Sequence, residues 1–528
     1  MTDQAPSEEP SEVEDSADES EFTQDDAVRG ILKGAGVVYA GLILNMGIAF
    51  VAQRFAAVHL SIGGFGSLLS GTALLDVGAV IAGLGLASGL TRYLPRVEES
   101  RKRSLVKFAF LFAVPFSLVV AVPTVVFADA IATRVFDDPE IAISLRIFGA
   151  TIPFAAILNL SIGGIRGQMV SRFRVYIKDI LHPSVRFGLI MIAVVVGAGQ
   201  AGFAAGYAVP YAVGAVVAVG LLWRVLPTGE GLGAGRRVLP EMVRYSLPFT
   251  VTGLASFIYR SIDIFLILYL LGSRAVGMYG VAYAFAQLIG MFSTAFSYLS
   301  TPVSSQLESD DRVDEAVAVQ GTVARWVLIA TTAALVPMAV FASDFLRLIY
   351  RPAYGTAGSV LIILIVGFAI KNVLQTHGPI LEALGKSKLA AFNTASAAAV
   401  NVITNLALIP RFGIEGAAIA TTLSFIVLGA LPTIEVWYYT NLTSLSRQVL
   451  VPGLIMVPLT IGFIPVFQAI PRTLLWVLST SAVFAVVYMT AVVVISGFTR
   501  ADVMVIRSIE DKYGVPLGPF DAVLRRFS

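Results

Sequence analysis

Apolar runs long enough to cross a bilayer, about 20 residues each, follow one another along nearly the whole chain, and this succession leaves little freedom of fold. They lie near residues 31–53, 64–90, 106–128, 141–165, 175–198, 202–223, 245–271, 275–302, 320–343, 356–384, 389–409, 414–439, 448–470 and 473–497. The pattern predicts an all-α polytopic membrane protein of about fourteen transmembrane helices. With 56% hydrophobic and 14% charged residues and a mean hydropathy of +0.81, the chain lies far outside the soluble range.

Charge is divided unevenly. Residues 1–28 carry eleven acidic side chains and no Lys or Arg, a composition that cannot bury enough apolar surface to fold. The expectation is a disordered acidic tail with no signal-peptide features. From Arg29 onward 37 basic residues face 24 acidic ones, a net of +13. Placing the N-terminus in the cytoplasm puts 26 of the 37 Lys and Arg on the inner side, including Arg92, Arg96, Arg101, Lys102, Arg103 and Lys107. Positive residues are retained there, so the rule predicts a multi-pass plasma-membrane protein with both termini cytoplasmic. The C-terminal end suits either a short helix on the inner leaflet or a frayed tail.

An internal repeat accompanies the even helix count. Phe65-Gly66 aligns with Tyr279-Gly280, residues 126–136 with 340–350, and residues 201–208 with 412–419, at separations of 211 to 215 residues. Matches in one order at nearly constant spacing indicate two parallel six-helix halves. The expected organisation is a tail over 1–28, a first bundle over 29–226, a cytoplasmic linker over 227–244, a second bundle over 245–439, two additional helices over 440–497 and a cytoplasmic tail over 498–528.

Few polar residues fall inside the spans, which makes them informative. Arg260 and Asp263 stand three residues apart in the run FIYRSIDIFL. Each would cost at least about 2.5 kcal/mol at the bilayer centre, so each needs a polar cavity or a partner. Asp179, His182 and Arg186 share a helical face, as do Lys371, Gln375, Gly378 and Glu382. Asp76, Asn159 and Arg166 complete the set. If the two halves face each other, Arg260, Lys371, Arg186 and Arg166 would form a cationic cavity. Such a cavity suits a phosphate or pyrophosphate, which Arg grips through paired donors. Asp263, Asp76, Glu382 and His182 are candidates for ion coupling by position, and Asp263 could equally be the ion-pair partner of Arg260. No Cys occurs and only three His are present, so a clustered metal site and a resident cofactor are not expected. No catalytic constellation is found.

Residues 261–290, 382–393 and 411–424 resemble the polysaccharide-transport, Wzx-type branch of the multidrug/oligosaccharidyl-lipid/polysaccharide exporter (MOP) superfamily. The resemblance implies two six-helix bundles in a V, a central cavity, and alternating access that flips a polyprenyl- or dolichyl-linked oligosaccharide to the outer leaflet. The implied partners are the lipid-linked glycan, membrane lipids and glycan-assembly enzymes, with no role for nucleic acid. The two extra C-terminal helices match fourteen-helix members, including lipid II flippases, better than twelve-helix drug antiporters. Two other readings stay open: a cation-coupled exporter of drugs or small solutes, and a membrane-embedded glycosyltransferase or ligase. The first would favour carboxylates deepest in the cavity, and the second a substantial external loop.

Overall fold

The computed structural model describes residues 44–170, 172–228, 238–294, 313–384, 386–441 and 447–497. The acidic segment 1–28 and the tail 498–528 lie outside the described residues. Among those described, eleven helices are long and apolar enough to cross a membrane. The chain is helical from 44 to 59 (α1). It continues through α2 (Ile62–Gly83), α3 (Leu86–Tyr93), α4 (Glu99–Val126) and α5 (Ala142–Gly167). Then follow α6 (Arg172–Val196), α7 (Gly199–Val225), α8 (Leu239–Leu271), α9 (Ser273–Gln287) and α10 (Val313–Val340). The last four are α11 (Gly358–Leu374), α12 (Ser387–Thr440), α13 (Arg447–Ala469) and α14 (Leu474–Ser496).

Local chemistry sets several of these boundaries. Ser61 caps α2, its hydroxyl accepting from the Gly64 amide at 2.8 Å. Leu84 and Gly85 then take left-handed backbone and break the second span into α2 and α3. Helix α12 carries one interior break, at Gly413 with φ 60 and ψ −138. A side chain would be strained there, and the break divides α12 into the two arms expected from the apolar runs at 389–409 and 414–439. Pro115, Pro123, Pro153, Pro210, Pro248 and Pro337 all sit within continuous helices. Pro183 and Pro379 instead adjoin irregular turns. Residues 175–181 form a π-helical stretch just before His182-Pro183, and Gln375–His377 form a 3-10 turn just before Gly378-Pro379.

That 3-10 turn corrects one expectation. Lys371, Gln375, Gly378 and Glu382 share a face only in an unbroken α-helix, and the tighter turn destroys the register. Glu382 lies in the short helix Gly378–Ala383, and its side chain is outside the described residues.

Packing differs between the two ends of the molecule. One core draws on residues from every one of these helices except α3, and so joins the early and late helices. A second core, containing Leu86, Leu105, Ile165, Ile177 and Leu222, is confined to the early helices apart from Met242 at the start of α8. Val195 is 85% and Leu475 74% exposed, an exposure that a lipid-facing surface explains and water would penalise.

Candidate functional site

At the end where the shared core lies, α2 and α9 cross in direct backbone contact. A Cβ at Gly66 would collide with the Ser273 carbonyl, and one at Gly277 with the Ile62 carbonyl. Glycine is therefore what permits the crossing. Reciprocal arginines reinforce it. Arg54 Nε donates to the Ile349 carbonyl at 2.7 Å, while Arg351 donates to the carbonyls of Ala57 and Leu60 at the end of α1. Each guanidinium thus caps exposed carbonyls at the end of a helix from the other part of the chain. The Ser273 amide also donates to Asp138 at 2.8 Å. Toward the opposite end, α3 packs on the start of α8. Gly85 and Gly89 lie against Ser246, the Tyr93 hydroxyl donates to Glu241 at 3.0 Å, and Arg92 sits 4.3 Å over the Tyr245 ring.

Between these contacts lies a cavity of about 320 Å³, lined among others by Asp76, Asn159, Lys178, His182, Tyr211 and Arg260. Helices α2, α5, α6, α7 and α8 each contribute. Arg260, Arg186 and Lys178 are close enough to act on Asp76 electrostatically. Arg186 approaches His182 Nδ1 at 3.3 Å and lies 4.9 Å over the Tyr207 ring. His182 meets Tyr211 edge-on at 4.6 Å, and its Nε2 is buried with no hydrogen-bond partner among the described residues.

Arg260 and Asp263 do not pair. Three residues on a helix leave them about 60° apart around the axis, and the two side chains diverge. Arg260 is exposed in the cavity, while Asp263 is 3% exposed and turned toward α9 and α12. Tyr279 donates its hydroxyl to the Asp263 carboxylate, and Thr421 donates at 3.3 Å. The network continues inward: the Ser424 hydroxyl donates to the Thr421 carbonyl at 2.8 Å, Asn401 donates to Ser424 at 3.3 Å, and Asn405 donates to Asn401 at 2.9 Å. The Ile264 amide donates to the same carboxylate at 2.9 Å, and a buried carboxylate with three donors needs no cation to hold it, which leaves Arg260 to the cavity.

The remaining candidates disperse. Lys371 is not among the residues lining the cavity; its ammonium lies 4.5 Å over Phe425 and 5.6 Å over Phe368, which is cation–π geometry. Arg166 is exposed at the end of α5, away from the lining. His377 lies 3.0 Å from the Leu374 carbonyl and 3.2 Å from Thr433. Asp179 does not line the cavity beside His182; Lys178 does, because the π turn shifts the register of α6. Counting Lys178 with the cytoplasmic loop hid it. The Tyr279–Thr421–Asn401–Asn405 network was also missed, although two Asn four residues apart inside an apolar run are a signal that they share a buried face.

The model of the polysaccharide biosynthesis protein family matches residues 60–358. The chain belongs to that family. A curated relative, the probable low-salt glycan biosynthesis flippase Agl15 of Haloferax volcanii, is 25% identical over 391 residues, covering 73% of this chain and 79% of the relative. The fold is similar to that of the lipid II flippase MurJ in an inward closed conformation, with a TM-score of 0.71 and 12% identity over 86% of this chain and 97% of that one. It is also similar to an inward-facing multidrug resistance MATE family transporter of the MOP superfamily, with a TM-score of 0.62 and 13% identity over 75% of this chain and 97% of that one. These likenesses establish a MurJ/MATE-like architecture for this member of the family.

Proposed function

We propose that this family member flips a polyprenyl- or dolichyl-(pyro)phosphate-linked oligosaccharide across the plasma membrane by alternating access, for assembly of surface polysaccharide or glycoprotein glycans. The observation that carries this reading is the cavity wall, where Arg260 and Lys178 face a single carboxylate, Asp76. In a low-dielectric bundle such a wall favours an anionic group, and Arg can bind phosphate with two parallel donors. The name of the Haloferax volcanii relative, a glycan biosynthesis flippase, supports the same cargo class.

On this reading fourteen helices form bundles over 29–226 and 245–439, joined by the linker 227–244 and followed by two helices over 440–497. Both termini are cytoplasmic. The end sealed by the α2–α9 crossing is then external, and the basic groups from Arg92 to Lys107 mark the internal mouth. Glycan-assembly enzymes would supply and consume the cargo on the two sides. Lys371 and Arg186 stand behind the lining and add positive potential to it, acting on Arg260 and Asp76 respectively, while Arg166 lies apart from the lining at the end of α5.

The decisive experiment reconstitutes the full chain in vesicles and compares flipping of a dolichyl-pyrophosphate-linked glycan with uptake of organic cations. Glycan flipping without cation transport is the expected result. Gradient-driven movement of cations with no movement of glycan would instead establish a cation-coupled exporter. Asp263 is the candidate coupling carboxylate with the most enclosed setting. Asp263→Asn is expected to abolish any stimulation of flipping by a proton or sodium gradient while leaving the protein folded, because Tyr279 and Thr421 can still donate to the amide oxygen. Unchanged stimulation would assign coupling elsewhere, to Asp76, Glu382 or His182.

A further inference from the structure

Helix α6 contains a seven-residue π-helical stretch, Val175–Leu181. The His182 amide donates to the Ile177 carbonyl, five residues back, and Pro183 follows with no amide to donate. A π turn accommodates one residue more than an α turn, and such turns concentrate at functional sites. Its position here is specific: it separates two adjacent opposite charges, Lys178 and Asp179, just before the cavity-lining His182.

The two registers give different cavity walls. In α geometry, at about 100° per residue, Lys178 and Asp179 fall on either side of His182, each within roughly 60° of it. In the wider π turn Lys178 stays within roughly 35° of His182, and Asp179 swings away to roughly 115°. The structure holds the second arrangement. Lys178 is exposed and lines the cavity, while Asp179 is 8% exposed. Lys178 acts on the Asp179 carboxylate electrostatically from the neighbouring position in the chain.

We propose that the π-helical stretch is a register switch that decides whether Asp179 joins Lys178 on the cavity wall presented to the anionic group of the cargo. Cargo is held against Lys178 in the π register and released when the α register brings Asp179 to the wall. The proposal rests on the reading of the cavity as an anionic-cargo site. Pro183 keeps the barrier low, since it cannot supply the amide that would lock the Asp179 carbonyl into an α turn.

The absence of Cys from the chain permits a direct test. Lys178→Cys and Asp179→Cys are prepared singly in the full chain, reconstituted in vesicles, and reacted with a sulfonated methanethiosulfonate. Position 178 is expected to react about tenfold faster than 179. In the Pro183→Ala background the restored amide favours the α register, and the ratio is expected to fall to about threefold or less. Deleting Ile180 removes the extra residue and fixes Lys178 on the His182 side in a plain α-helix. That variant is expected to keep the labelling ratio and lose about 90% of transport. An unchanged ratio in Pro183→Ala, or wild-type transport in the Ile180 deletion, would overturn the switch. Inorganic pyrophosphate is added in a separate arm, where slowed labelling at 178 supports the cargo reading. A normal register shift with no protection by pyrophosphate or dolichyl phosphate would overturn the anionic-cargo reading and leave the switch standing.

Discussion

Arg260→Ala is expected to reduce export of lipid-linked glycan at least about thirtyfold, the equivalent of roughly 2 kcal/mol lost from a desolvated charge contact. The guanidinium is exposed to the cavity and makes no pair with Asp263, so its removal breaks no ion pair there, and Arg186 and Lys178 still face Asp76. The protein should therefore fold and reach the membrane normally, which separates this variant from one that acts through stability. Arg260→Lys should recover part of the activity, since an ammonium keeps the charge but loses the planar fork that fits phosphate. Arg166→Ala, outside the cavity lining, should stay within about threefold of wild type. Export is read as surface glycan in cells lacking the native copy, with protein abundance measured in parallel. Full export by Arg260→Ala would remove the anionic-cargo reading.

Gly66→Val should be at least as damaging, for a different reason. A side chain at this position meets the Ser273 backbone, and backbone cannot rotate aside as a side chain can. Helices α2 and α9 would have to part, and the capping contacts of Arg54 and Arg351 would lengthen with them. The expected result is loss of the state sealed at this end and about a tenfold or greater fall in transport. Cysteine placed at Ala56, fully buried beside the crossing, should become reactive to an impermeant thiol reagent in the Gly66→Val background. Continued protection of Ala56→Cys would show that the crossing is not what closes this end. Gly47, whose added Cβ meets nothing within 4 Å, provides a tolerant control in α1.

Much of the helical layout was legible because hydrophobic length is a one-dimensional property. Runs of apolar residues, their breaks and the Lys and Arg between them can be counted without knowing what touches what. The candidate site was legible only in part. Asp76, His182 and Arg260 were marked by their expense in lipid, and the structure gathers all three around one cavity. The pairing of Arg260 with Asp263 was not decidable, because spacing gives a shared face but not the direction in which each side chain leaves it. Tyr279 and Thr421, which hold Asp263, lie 16 and 158 residues away in sequence. Asp179 was placed on the His182 face by assuming unbroken α periodicity, Lys178 was passed over among the inner-side cations, and the 3-10 turn at Gln375–His377 undid the Lys371–Glu382 face as the π stretch did that of Asp179. Helical arithmetic fails first where the helix itself departs from 3.6 residues per turn, and both departures here adjoin prolines.

The two cores also carry a consequence for how the chain is made. Leu86, Leu105, Ile165 and Leu222 meet partners drawn from a continuous early stretch, so that cluster can form while the later helices are still being synthesised. The larger core needs Phe65 and Phe148 together with Tyr279, Phe345 and Phe425, and cannot close until synthesis has passed α12. During translation the early helices therefore hold one finished end and one unfinished end in the bilayer. A nascent chain arrested near residue 228 should present its unsealed side to insertion factors and quality-control proteases, and release from their surveillance would come with the arrival of the late helices.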